Sequence, residues 1–148
     1  MNDLLTILRT RIQEIAAAVS YPAPVGGTVH PAVYVGSKPQ GIDHADSNAP
    51  SIKIRILGGI DEQRERIITV HVLCSVWSDT DVEKGSTDIN DLTLRLLSLQ
   101  RDRCFTPYQL ALPVRWAIGD EQGNQPHPFY YANISLQFRA MPLADLKS

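Results

Sequence analysis

Ser51–Ser78 (SIKIRILGGIDEQRERIITVHVLCSVWS) alternates apolar and polar positions with a period of two, and the rest of the chain is arranged around it. Ile52, Ile54 and Ile56 alternate with Lys53 and Arg55. Ile68, Val70, Val72, Cys74 and Val76 alternate with Thr69, His71, Leu73, Ser75 and Trp77. Successive side chains of a strand point to opposite faces, so each set occupies one face of a sheet. Gly58-Gly59 is expected to end the first strand and the polar run Asp61–Glu65 to turn the chain, which makes a β-hairpin. The alternation returns at Leu110–Ile118, with Leu110, Leu112, Val114, Trp116 and Ile118 on one face. It returns again at Phe129–Ala140, with Tyr130, Ala132, Ile134, Leu136 and Phe138 on one face. Pro113 lacks a donor for the ladder, so its strand is expected at an edge or bulged there. Ala32–Gly36 (AVYVG) reads as a short strand.

Two segments switch to helical spacing. In Asn2–Val19 the apolar residues Leu4, Leu5, Leu8, Ile12, Ile15, Ala16 and Val19 recur every three or four positions, with Asn2 or Asp3 available to cap the start. Ser20-Tyr21-Pro22 stops this helix, since the residue before a proline is pushed out of the helical region. In Thr87–Gln100, Ile89, Leu92, Leu96 and Leu99 form a stripe that Leu97 widens, while Leu94 lies away from it; Ser86 or Thr87 is the expected cap. The order is helix, short strand, two strands, helix, two strands. It predicts a single α+β domain over residues 1–148, with a mainly antiparallel sheet and both helices packed on one face. The other face keeps Lys53, Arg55, Thr69, His71, Ser75, Arg115, Asn133, Ser135 and Gln137, so it can meet water or line a wet channel in an assembly.

Composition narrows the function. A chain of 148 residues, 43% of them hydrophobic, can bury a core without staples. A net charge of −2 argues against a dedicated nucleic-acid binder, which concentrates basic residues. There is no apolar run long enough for a membrane span and no secretory pattern at the N-terminus. Cys74 and Cys104 therefore read as free thiols in a cytosolic protein.

No residue set in the sequence has the spacing of a known catalytic or ligand-binding motif. His30, His44, His71 and His127 form no i, i+4 pair and no Cys/His ligand set, so neither a metal nor another cofactor is expected. Asp79, Asp81 and Glu83 imitate the start of a calcium loop, but Lys84 stands where glycine is required and Asn90 where glutamate is required. Neither cysteine has a nucleophile signature, and Gly26-Gly27 and Gly58-Gly59 lack the spacing and lysine of a phosphate loop. Trp77, Trp116, Tyr130 and Tyr131 could stack bases, but without a basic surround they read as core and interface packing. Two polar segments exceed what the connections need: Ser37–Asn48 and Gly119–Pro128.

The pattern as a whole resembles the tail terminator, or tail completion, proteins of long-tailed bacteriophages and prophages. The resemblance is carried by DLLTILRTRIQEIA, by the loop before Ala49-Pro50-Ser51-Ile52, by IITVHVLCSVWS, by the acidic loop leading into DINDLTLRLLSLQ, and by the closing strand ending FYYANISLQFRA. It implies a non-enzymatic subunit that forms a homo-oligomeric ring, commonly a hexamer. The ring sits on the finished tail tube, stops its growth and offers a surface to head-connector or neck proteins. The protein would be assembled in the bacterial host cytoplasm and end in the virion, with no membrane or specific nucleic-acid partner. On that reading Ser37, Lys38, Gln40, Asp43, Asp46, Asp120, Glu121, Asn124, Gln125 and His127 are the candidate docking residues. Two alternatives stand beside it: a neck or head-completion protein of the same virus type, and a small hydrolase or transferase whose site is assembled from scattered residues.

Overall fold

The computed structural model describes residues 2–36, 49–79, 81–120, 123–125 and 127–140. The chain opens with α1 (Asn2–Ala17). Two short strands follow, β1 (Tyr21–Pro22) and β2 (Thr28–Val29), and then β3 (Ala32–Val35). A long hairpin of β4 (Ser51–Asp61) and β5 (Arg66–Trp77) comes next. It leads into α2 (Val82–Leu97), a 3₁₀ turn (Ser98–Arg101), β6 (Cys104–Phe105), β7 (Tyr108–Ile118) and β8 (Phe129–Ala140). The described residues form one six-stranded sheet in the order β3-β4-β5-β8-β7-β6, with β1 and β2 paired separately. All pairings in the large sheet are antiparallel except β3 with β4, which is parallel. The architecture is α+β, as the alternation and the helical stripes imply.

The core lies between one face of this sheet and the two helices. Leu4, Leu8 and Ile12 of α1, Ile89 and Leu92 of α2, Ile52 and Ile54 of β4, Val70 of β5 and Phe138 of β8 are fully buried. Burying each such side chain contributes roughly 1.5–3 kcal/mol, so the matching stripes hold the two layers together. Leu94, set off the stripe, is 67% exposed.

Three local readings are corrected. Gly58-Gly59 does not end β4: a register shift between Ile56 and Gly58 absorbs one extra residue, and pairing resumes to Asp61 opposite Arg66. A bulge lets a strand pass through a residue pair that a simple alternation rule treats as a stop. The second helix starts at Val82, and its cap is Asp81 rather than Ser86 or Thr87: the Asp81 carboxylate accepts from the Glu83 N–H at 2.9 Å. The first turn carries no apolar stripe, so periodicity starts the helix too late. Ser75 has the phase of the open face but is buried, and its hydroxyl shares a 2.7 Å hydrogen bond with that of Ser51.

Candidate assembly interface

Coverage by the helices is narrower than the sheet. β7 pairs with β8 at Gln109–Ala111, breaks register between Ala111 and Arg115, and pairs again through Ile118. Pro113 sits inside that break, as a residue without an N–H requires. The break adds an even number of residues, so Trp116 opposite Ile134 and Ile118 opposite Ala132 stay on the helix-side face. Ile134 and Ala132 are buried in the core, but Trp116 is 52% and Ile118 38% exposed. The short β6 covers the outer side of β7 at Tyr108 and Gln109, and the Leu110 N–H donates to the Arg103 carbonyl just before β6. Among the described residues no strand covers Val114–Ile118 from outside.

Backbone direction along this edge follows from one bond. The Gly119 N–H donates to the Tyr131 carbonyl, so the odd-numbered residues from Arg115 onward turn their backbone groups to β8. Val114, Trp116 and Ile118 then turn theirs outward. The opposite edge has the same property. The Ala32 and Gly36 N–H groups donate to the Pro50 and Ile54 carbonyls, so Val33 and Val35 present their backbone groups away from β4. Val35 is 38% exposed, on the same face as Trp116.

The tip after β7 is held by its own bonds. The Asp120 and Gly119 backbones tie to Asn124 and Tyr131, and the Asp120 carboxylate accepts from the Asn124 N–H at 2.9 Å. The Gln125 side-chain oxygen accepts from the Tyr131 N–H at 2.6 Å. His127 Nδ1 lies 2.9 Å from the Tyr130 hydroxyl. Of the expected docking residues, the structure brings Asp120, Asn124, Gln125 and His127 together at this tip, with Asn124 and His127 exposed. Ser37, Lys38, Gln40, Asp43, Asp46 and Glu121 lie outside the described residues.

On the open sheet face, Arg55, His71, Ser135 and Arg115 fall in one row across four strands. His71 Nε2 is 2.6 Å from Asn133 Oδ1, and Asn133 Nδ2 donates to the Gly119 carbonyl at 2.7 Å, which links this face to the tip. Among the described residues no three His, Cys, Asp or Glu side chains gather as a metal site. Asp81 of the calcium-like run is used as a helix cap. Among the described residues no helix is long and apolar enough to cross a membrane. An open groove of 340 Å³ runs between the helices past Ile15, Leu94 and Arg101.

The two edges are what sequence reasoning missed in part. Pro113 pointed to the β7 edge; nothing pointed to Val35 on the far side. No family model matches this chain, and no curated protein matches it.

Proposed function

We propose that this protein is a structural subunit of a phage or prophage tail, a tail terminator that works by ring assembly rather than by catalysis. One observation carries the reading. A single sheet ends in two different edges, and each exposes apolar side chains: Val35 and Tyr34 on β3, and Leu112, Trp116 and Ile118 on β7. A ring needs heterologous contacts, in which one surface of a subunit meets a different surface of its neighbour. Two unlike edges on opposite sides of the same subunit meet that requirement. The polar tip with Asn124 and His127 would then face the tail tube or the neck. The ring would assemble in the bacterial cytoplasm and remain in the virion.

Native mass spectrometry over a concentration series, with and without purified tail tubes, tests this. The expected result is a closed oligomer that binds tube ends and halts their elongation. A monomer under every condition that also leaves tube growth unchanged would eliminate the reading.

A further inference from the structure

We propose that the ring contact is a strand addition: β3 of one copy pairs antiparallel with the outer edge of β7, at Val114–Ile118, of the next copy. The proposal rests on the ring reading above and names the surfaces that would make it.

Direction is the first argument. β3 runs with β4, and β5, β8 and β7 alternate from there, so β3 and β7 run in opposite directions at the two ends of one sheet. A second copy set beside the first in the same orientation therefore brings β7 alongside β3 as an antiparallel partner. The helix layers of both copies stay on the same side.

Phase is the second. Val33 and Val35 turn their backbone groups outward on β3, and Val114, Trp116 and Ile118 do so on β7. Residues directly opposite each other in an antiparallel pair share a face. The in-phase registers therefore set the two valines against Val114 and Trp116, or against Trp116 and Ile118. All of these side chains lie on the helix-side face, so the new row continues the core across the boundary. It would cover Trp116 and Val35, which the isolated subunit leaves exposed. Out-of-phase pairing would oppose mismatched backbone groups.

Length is the third. β3 has four residues, and the run from Val114 to the end of β7 has room for them. Main-chain bonds would supply the affinity, and the contact would close over the Trp116 side chain. The contact is heterologous, so it propagates around a ring instead of ending at a dimer.

The test uses single-cysteine variants in a Cys104→Ser background, since Cys104 is exposed and Cys74 is buried. Val35→Cys and Trp116→Cys each place a thiol at an exposed position, where folding should be preserved. Directly opposite or diagonal neighbours in a pair lie within about 8 Å, inside the reach of a short bismaleimide. The mixture of the two variants should give a covalent dimer, and either variant alone should give none. Ile118→Lys should abolish association while leaving the melting temperature of the monomer unchanged. If the mixture forms the oligomer by native mass spectrometry but gives no cross-link, the strand addition is wrong and the ring stands. Cross-linking of Trp116→Cys with itself would likewise overturn it. If neither the parent nor the variants associate at any concentration, both readings fall.

Discussion

Gly85 of α2 packs directly against the ring of Tyr130 of β8: a Cβ at Gly85 would lie 2.6 Å from Tyr130 Cζ, with two further ring carbons as close. The ring has little room to yield. Tyr130 is 2% exposed, and its hydroxyl is tied to His127. In an exposed helix, replacing glycine by alanine stabilises by about 1 kcal/mol, because the backbone loses less freedom on folding. Here the added methyl overpacks a closed contact, which costs about 1–3 kcal/mol. Gly85→Ala should therefore lower the melting temperature. A variant that melts at or above the parent would show that helix and strand can separate at this point.

Two tyrosines should resist alkaline titration. Burial, and then the hydrogen bond from its hydroxyl to Asp3 at 2.7 Å, push Tyr108 up to about 12. Burial and the bond to Asp91 at 2.6 Å push Tyr21 higher still. A tyrosine whose folded value is raised contributes stability that is fully present below its ordinary value of 10.0 and is lost as the pH climbs through the folded value. The fold should thus weaken between about pH 10 and 12. On the acid side the sign reverses. The Tyr108 hydroxyl holds the Asp3 carboxyl below the usual carboxylate range, so that contribution is present above the ordinary value and fades as the pH falls through the lowered one. In an absorbance titration, Tyr108→Phe should remove one of the late-ionising phenols, and by NMR Asp3 should titrate at a higher pH than in the parent. A parent chain whose five tyrosines all ionise together near pH 10 would contradict the burial of both.

The two thiols should differ in kind. Cys74 is buried in β5 and donates to the Ala132 carbonyl at 3.4 Å; burial pushes its thiol up to about 12. Cys104 is exposed, with Thr106 Oγ1 3.0 Å from its sulfur. Only the thiolate reacts, so a thiol reagent should label Cys104 quickly and Cys74 on the timescale of opening. Unfolding should raise the count from one to two without a reductant. A native count of two fast groups would mean that β5 is not covered as described.

Strand β8 could be read to the residue because Phe129–Ala140 alternates without interruption, and both helical stripes could be read because leucine and isoleucine recur every three or four positions. The parallel pairing of β3 could not: alternation reports which face a side chain takes and says nothing about the direction of the neighbouring strand. Tyr21–Pro22 and Thr28–Val29 are too short to show a period, so they read as loop. The exposure of Trp116 and Ile118 was hidden for a related reason. Both keep the core phase, but phase does not tell how far the helix layer extends over the sheet. The docking tip was legible only as an excess of polar residues. Its hydrogen bonds depend on which side chains of β8 lie beneath it, and these are long-range facts.

Asn133 provides the means to test that tip. Its Oδ1 accepts from His71 Nε2, which places the imidazole proton on Nε2, and its Nδ2 donates to the Gly119 carbonyl. Gly119 begins the turn in which Asp120 and Asn124 bind each other. One amide therefore joins the open sheet face to the tip. Asn133→Ala removes both bonds and leaves a carbonyl and a ring nitrogen without their partner, at a cost of about 1–2 kcal/mol. Asn133→Asp separates the two halves. The carboxylate still accepts from His71 Nε2, so that bond is kept. It cannot donate to Gly119, so the tip loses its tie. Hydrogen exchange should then show faster loss of protection at the amides of Gly119, Gly123 and Asn124 in both variants, while the melting temperature falls further in Asn133→Ala than in Asn133→Asp. If the tip amides keep their protection in both, the backbone bonds within Gly119–Asn124 hold the turn by themselves, and the amide link is dispensable.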